Sequence, residues 1–389
     1  MLGATKNVVL PTAIVGSIPR PAWYRVSLKG RPFKLALSDR EFREQYLDAV
    51  GAYIHDQTAA GLDILVDGDA RFDNDVGGRG WFAYVLERLG GFEGHNDIID
   101  SWAETYQPGQ ILWEVMEAYQ QPTLIGRLTA GPLHYAAIWQ VAQRMTDKPV
   151  KFGAISVDSL ASFLNNRAYD SPRDLLFELA SIVNQEYRQL ASVGCPIIQI
   201  EEPHTHFSEE ALDKKLIVDT FNRQVDGVNT EIWAHTCWGN PAQQSATKSR
   251  SYAPALEDVF QMNADVITFE CASTGGEDLA AIGKVRSDKK VAIGVISHLK
   301  TQVETYEEVA LLIRKALKFI PVERLVITTD CGFGREGLSR RISYYKMVAL
   351  VEGTNIVRRE LGLPEAKVPA SDPKLSISFQ GQETTSYAN

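Results

Sequence analysis

The chain has 389 residues, of which 44% are hydrophobic and 23% charged, and its formal net charge is −9. The acidic balance argues against nucleic acid or an anionic membrane as the main partner, because both attract basic surfaces. No secretory signal and no membrane-spanning apolar run of about 18 residues stands in the sequence. The four cysteines are sparse and scattered, which is typical of a reducing compartment, so we expect a cytoplasmic protein.

Short apolar, β-branched runs alternate with helical patterns along the chain. The runs predict strands at 13–17, 64–66, 150–156, 197–200, 232–234, 266–269, 291–296 and 325–328. The predicted helix starts are Ser38 with Glu41, Ser171 with Pro172, and Thr305 with Glu308. This alternation predicts an α/β fold, a single (β/α)8 TIM barrel. We expect the barrel to cover residues 1–366, with an insertion at about 71–147 and a loose tail at 367–389.

Polar residues follow the predicted strands at their carboxyl ends, where TIM barrels carry their active sites. These residues are Ser17, Asp69, Glu201, His235, Glu270, His298 and Cys331. His235 and Cys237 are two residues apart, so in a strand both side chains would project to the same face. With Glu270 and Cys331 they supply one nitrogen, two sulfur and one oxygen donor, a set that suits tetrahedral Zn²⁺. We therefore predict that these four residues form a zinc site.

The charge of this ligand set indicates its chemistry. Two thiolates and one carboxylate make the metal a weak activator of water and a better activator of a bound thiol, whose pKa the metal lowers. The carboxylate of Glu270 is the most exchangeable ligand, so we expect it to give its place to an incoming sulfur. Two alternatives stay open: Cys271 faces the metal instead of Glu270, or the zinc is structural and fully coordinated by the protein.

Further polar residues are candidates for supporting roles. His298 follows the seventh predicted strand and is a candidate general acid, because histidine titrates near neutral pH. Arg20 follows the first and would suit a carboxylate or a sulfonate. His204 and His206 either line the pocket, hold a second metal, or form a polar loop above the barrel, and the loop is the simplest interpretation.

Several stretches resemble the C-terminal catalytic domain of cobalamin-independent methionine synthase and its shorter relatives. They are IVGSIPR at 14–20, GLDILVDGD at 61–69, TDKPVKFG at 146–153, GCPIIQIEEP at 194–203, HTC at 235–237, ADVITFE at 264–270 and TTDCGFG at 328–334. The resemblance implies a zinc barrel that activates a small thiol for attack on an alkyl donor. It implies the same four zinc ligands as above. It also implies contacts of the thiol substrate with Ser17 at its acid end and with Asp69 and Glu201 at its amino group.

The chain also departs from that family. The Thr-Gly-Pro turn expected near 155–158 and the tryptophan that serves as a folate platform are absent, and His298 is about one residue out of register with the family's catalytic histidine. We expect methyl transfer to homocysteine, with methylfolate, a methyl-corrinoid or an epoxide open as the alkyl donor. Thiol addition to an epoxide, as in the epoxyalkane:coenzyme M transferases, is the rival activity. Two alternatives from other classes are a barrel decarboxylase and a non-catalytic barrel with structural zinc. Assembly into a homo-oligomer is also open.

Overall fold

A computed structural model of the protein describes residues 3–72, 80–97, 109, 120–201, 213–238, 250–334 and 338–372. Its strands are β1 Leu65–Val66, β2 Gly90–Asp97, β3 Gln120–Thr129, β4 Val150–Ile155, β5 Asn165–Asn166, β6 Ile197–Glu201, β7 Glu231–His235, β8 Val266–Phe269, β9 Lys290–Ile296 and β10 Leu325–Thr329. Its α-helices are α1 Phe33–Ala36, α2 Arg40–Ala60, α3 Gly80–Leu86, α4 Tyr135–Gln143, α5 Val157–Ser162, α6 Pro172–Ser192, α7 Lys214–Gln224, α8 Leu256–Val259, α9 Leu279–Lys284, α10 Tyr306–Leu317 and α11 Arg340–Glu360. Short 3-10 helices lie at Ala253–Ala255, Val322–Arg324 and Pro369–Ser371.

Seven parallel strands form one curled sheet in the order β1-β4-β6-β7-β8-β9-β10. Every residue of β6, β7 and β10 is buried. This explains their continuous apolar runs, because a parallel sheet is covered on both faces. Helices cover the outside: α2 packs on α11, α6 on α7 and α10 on α11. The α/β architecture and the seven predicted strands after the first are therefore confirmed.

The first predicted strand, at 13–17, is not a regular strand. The chain there still lies between β10 and β1, because Thr12 forms a parallel bridge with Ile327. On its other side, the Thr12 carbonyl accepts hydrogen bonds from the amides of Asp63 (3.1 Å) and Ile64 (3.0 Å). Pro11 has no amide hydrogen to continue a ladder. An irregular segment thus takes the eighth position beside the seven-stranded sheet.

The helix starts show which capping predictions were sound. Ser171 caps α6, and Thr305 forms a capping box with Glu308 at α10, as predicted. The prediction of Ser38 as the cap of α2 is wrong. The carboxylate of Asp39 accepts the amide hydrogen bonds at this terminus, while the Ser38 hydroxyl donates to a carbonyl at the end of α1. A short helix just upstream therefore occupies the serine and moves the cap by one residue.

The predicted insertion contributes two of the three strands of a small second sheet. In it β2 pairs antiparallel with β3, which pairs parallel with β5. Helix α4, near the end of the predicted insertion, instead packs against α2, β4 and α6 like an outer helix of the main sheet. Its Trp139 is buried and donates a hydrogen bond to the Val150 carbonyl (2.8 Å). The domain limits stay a prediction.

Two predictions concern residues outside the described part of the chain, namely those for His204 and His206 and most of the predicted tail. None of the helices in the described ranges is both long and apolar enough to cross a membrane.

Candidate metal centre

The carboxyl ends of adjacent strands bring the predicted site residues together. Glu201 ends β6 and His235 ends β7, and the two are register partners in the parallel pair. Glu270 directly follows β8, and Cys331 lies two residues beyond β10. Parallel strands end at one edge of a sheet. The polar strand ends of the sequence therefore meet at this edge.

Buried ligand atoms meet at this edge in two groups. Among the described residues, Glu201, His235, Cys237 and Cys331 offer ligand atoms that all lie within 4.8 Å of one another. Glu270, His298 and Cys331 form a second group by the same measure. Cys331 belongs to both groups. The first holds three of the four predicted zinc ligands together with Glu201, whereas Glu270 lies beside Cys331 and His298. Cys271, the alternative ligand, is in neither group.

His235 has the geometry of a histidine that is held ready for a metal. Its ring is fully buried, and Nδ1 lies 2.5 Å from Oγ1 of Thr268. Nε2 has no hydrogen-bond partner among the described residues and lies 3.5 Å from a carboxylate oxygen of Glu201. A buried polar atom without a partner costs free energy, and metal-binding histidines commonly have the other ring nitrogen held in this way. A cation beside Nε2 would fit this arrangement.

The electrostatics of the centre also suit a cation. Burial raises the pKa of Glu201, and burial together with Asp330 raises the pKa of Glu270 well above its ordinary value. The sulfur of Cys331 and burial likewise raise the pKa of the Cys237 thiol. A divalent cation favours the deprotonated form of such ligands. One nitrogen, two sulfur atoms and a carboxylate oxygen are a donor set that fits Zn²⁺.

Hydrogen bonds fix the side chain and backbone of Glu270. Its carboxylate accepts from the amide of Trp238 and the hydroxyl of Ser273, both at 3.1 Å. Its own amide donates to the hydroxyl of Tyr252 (3.1 Å). Asp330 accepts the next three amides, those of residues 271–273, at 2.7–2.9 Å. The turn that carries Glu270 is thus held by the residue just before Cys331.

Ser17 and Asp69 are drawn close to the centre by glycines. The Ser17 hydroxyl accepts a hydrogen bond from the amide of Gly334 (3.1 Å). A Cβ atom at Gly332 would lie 2.3 Å from Ser17 Oγ, and one at Gly16 would lie 2.9 Å from Asp69 Oδ2. Only residues without a side chain allow these approaches. The glycines around both residues therefore help to shape the edge of the centre.

A buried arginine that the sequence did not single out holds Asp69. Arg71 lies 3.0 Å from Asp69 Oδ1 and 3.5 Å from Asp67 Oδ2, and it donates to the Gly153 carbonyl (2.7 Å). Burial raises the pKa of Asp69 to about 7, against the opposing effect of Arg71 and with added repulsion from Asp67 and Glu201. The sequence did contain a signal for this arginine, because a basic residue follows the strand-end aspartate by two positions.

Arg20 makes structural contacts. Its guanidinium donates to the carbonyls of Val26 (2.8 Å) and Phe72, and it lies 4.0 Å from the centroid of the Tyr24 ring. These contacts hold two loops together. A role of Arg20 in binding an anionic substrate group stays a prediction.

In the stretch that lacks the folate-platform tryptophan, Phe163 stacks on an aromatic residue from the predicted insertion. The rings of Phe82, in α3, and Phe163, just after α5, stack face to face at 3.8 Å between centroids and 4° between planes. Both side chains are buried. One face of the Phe163 ring is therefore covered by a residue of the predicted insertion.

Comparisons with known proteins identify the family of the chain and agree with its fold. The family model described as the catalytic domain of cobalamin-independent synthase matches residues 10–351. The methionine synthase of Saccharolobus solfataricus is 33% identical over 359 residues, which are 92% of this chain and 97% of the relative. The methionine synthase of Sulfurisphaera tokodaii is 29% identical, with 91% and 94% covered.

A solved structure of a related protein has the same fold. The B12-independent methionine synthase from a Shewanella species, solved in complex with selenomethionine, superposes with a TM-score of 0.73 at 27% identity, covering 91% of this chain and 99% of that one. The TIM-barrel-like fold is thus shared, and the strand-end residues described above lie within the matched range. The chain belongs to the cobalamin-independent methionine synthase family, whose members are transferases.

Proposed function

We propose that the chain is a zinc-dependent alkyltransferase that transfers a methyl group to the thiol of homocysteine. The observation that supports this most strongly is the buried group Glu201, His235, Cys237 and Cys331, whose ligand atoms lie within 4.8 Å of one another. The names of the relatives, which are methionine synthases, support the substrate.

His235, Cys237 and Cys331 would hold the metal, with a carboxylate from Glu270 as predicted or from Glu201 as their proximity allows. When bound, zinc lowers the pKa of a coordinated thiol, so that a nucleophilic thiolate exists near neutral pH. Thr268 keeps the imidazole of His235 oriented through its contact with Nδ1. All the candidate ligands are buried, so the protein limits the access of water to the reacting sulfur.

Carboxylates beside the metal group favour an amino-acid thiol. The resemblance assigns Asp69 and Glu201 to the amino group of the substrate, and after burial the repulsion from Asp67 and Glu201 contributes to the raised pKa of Asp69. A bound ammonium would relieve that repulsion. A sulfonate thiol such as coenzyme M would instead need a basic partner. Arg20, the candidate for that role, contacts the Val26 carbonyl and the Tyr24 ring.

His298 is the candidate for moving a proton at the leaving group of the donor. It follows β9, is fully buried and lies with Glu270 and Cys331 in the second ligand group. A ring nitrogen of His298 lies within 4.8 Å of the Cys331 sulfur, so the imidazole would be near a thiol held by the metal, where a general acid could protonate the leaving group.

The test is a thiol alkylation assay on the metal-loaded protein. Homocysteine and coenzyme M are each offered with methylfolate, methylcobalamin and an epoxide in parallel. We expect methionine from homocysteine with at least one methyl donor. Alkylation of coenzyme M by the epoxide alone would replace methyl transfer with the rival activity. Full activity in protein stripped of metal would refute zinc dependence.

A further inference from the structure

A fully buried lysine lies beneath the candidate centre. Lys151, the second residue of β4, donates hydrogen bonds to the Ile14 carbonyl (2.9 Å) and to Oε1 of Gln199. Its Nζ atom lies 4.6 Å from the centroid of the Trp233 ring. The interior of such sheets is mostly filled by branched aliphatic side chains. A charge there costs free energy unless its partners compensate, so this lysine calls for an explanation beyond packing.

Gln199 connects the lysine to the centre. Its Nε2 donates to Glu201 Oε1 at 2.6 Å and to the Val15 carbonyl at 3.0 Å. Because Oε1 accepts from Lys151, the amide is held with its NH2 group toward Glu201. The other carboxylate oxygen of Glu201 lies 3.5 Å from Nε2 of His235. One line of polar contacts thus runs from the lysine to the candidate metal ligand.

We propose that Lys151 is a positioning residue that orients the Glu201 carboxylate, through Gln199, toward the amino group of the thiol substrate. This inference rests on the proposed function. The same two side chains hold the carbonyls of Ile14 and Val15, in the irregular segment that leads to Ser17. The Gln199 amide thus lies between this segment and the carboxylate that is predicted to contact the amino group.

The position of the charge supports this role. Burial lowers the pKa of Lys151 to about 7, whereas Glu201 and Asp69, the two carboxylates assigned to the amino group, raise it. In its charged form Lys151 balances the mutual repulsion of these carboxylates before the substrate ammonium binds. A neutral side chain of the same length would fill the space but remove the donor to Oε1 of Gln199, so that only the contacts of its NH2 group would still orient the amide.

The test compares two thiols on metal-loaded Lys151→Met protein by calorimetry. Homocysteine carries the amino group, and 4-mercaptobutanoate lacks it. We expect the dissociation constant of homocysteine to rise roughly 10–100-fold, as for a lost hydrogen bond to a charged group. The affinity for 4-mercaptobutanoate and the metal content should stay at the wild-type level. A general loosening of the structure would instead weaken the binding of both thiols to the same extent.

Lys290→Met is the matched control. Lys290 opens β9, is also buried, and also holds the N-terminal chain, by donating to the carbonyls of Thr5 and Val8. It hydrogen-bonds to neither Gln199 nor Glu201 among the described residues. We expect a loss of thermal stability in this variant without any change in homocysteine affinity.

Gln199→Leu keeps the inference testable if Lys151→Met does not fold. It should show the same selective loss, and the double variant should lose no more than either single one, because both act on one contact. Three outcomes would each overturn the inference. They are an equal loss of affinity for both thiols, an unchanged affinity for homocysteine, and a similar loss of homocysteine affinity in Lys290→Met. Wild-type protein that binds no homocysteine would instead refute the proposed function itself, and the inference with it.

Discussion

His235 Nδ1 lies 2.5 Å from Oγ1 of Thr268, its register partner on the neighbouring strand β8. The contact fixes the ring so that Nε2 faces Glu201 and the candidate metal position. We predict that Thr268→Val weakens zinc binding by about 10–100-fold, the usual effect of removing a partner of a metal-binding histidine. Competition with a chelator of known affinity measures this directly.

A second buried threonine serves as the control for that prediction. Thr220 lies in α7, and its hydroxyl has no hydrogen-bond partner among the described residues. Thr220→Val makes the same chemical change in an outer helix that packs on α6, and it should leave zinc affinity unchanged. Equal zinc affinity in wild-type and Thr268→Val protein would show that the threonine does not orient a ligand.

Cys331 should be the most sensitive position for metal content, because it is shared by both ligand groups. We predict that Cys331→Ala loses bound zinc and alkylation activity together. Cys195→Ala removes a thiol that is equally buried but donates to the Ile197 carbonyl, and it should keep both. Elemental analysis after gel filtration gives the metal content. Retained zinc in Cys331→Ala would contradict the assignment of the centre.

The two carboxylates of the centre can be told apart by paired variants. We predict that Glu270→Gln lowers zinc affinity, whereas Glu201→Gln keeps zinc and loses affinity for homocysteine. The reason is that the resemblance assigns Glu270 to the metal and Glu201 to the amino group, although Glu201 lies with the other ligands. Zinc titration and thiol calorimetry on both proteins decide the matter. If only Glu201→Gln loses zinc, Glu201 is the metal ligand and Glu270 is not.

Asp330 should contribute to stability by holding the turn after β8. Its carboxylate accepts three amide hydrogens, and the residue is fully buried. We predict that Asp330→Asn lowers the free energy of unfolding by about 3 kcal/mol, because the single amide oxygen accepts fewer of the three hydrogen bonds and the new NH2 group faces other donors. Urea unfolding of the metal-free protein measures the change.

Asp213→Asn is the comparison for Asp330. Asp213 caps the exposed start of α7, where asparagine serves as well as aspartate, so the free energy of unfolding should barely change. Similar unfolding midpoints for the two variants would show that the buried carboxylate of Asp330 contributes little.

The strands and the polar residues at their ends could be predicted from sequence because each depends on a local pattern. Apolar runs mark buried strands, and the order of the strands places His235, Cys237 and Cys331 at one edge. The proximity of Glu201 to these three could not be predicted, since it and Glu270 both follow strands. Which carboxylate lies nearer depends on the curvature of the sheet.

Other parts of the centre could not be predicted from sequence because they depend on contacts between distant segments. Thr268 becomes a partner of His235 only through the register of β7 and β8, and Arg71 and Lys151 became notable only once their burial was known. The first predicted strand was apolar enough to suggest a regular strand. Pro11 and the side-chain contacts of Gln199 explain why it is irregular.

The contact of Ser17 with Gly334 joins positions that are 317 residues apart. Ser17 leaves the ribosome long before the shared ligand Cys331 and Gly334 do. A nascent chain that stops before these two residues has neither the last sulfur nor the loop that holds the serine. Metal and substrate can therefore be bound only after synthesis has passed Gly334. Prematurely terminated products would contain cysteines that are buried in the complete fold but would lack the centre that these cysteines help to form.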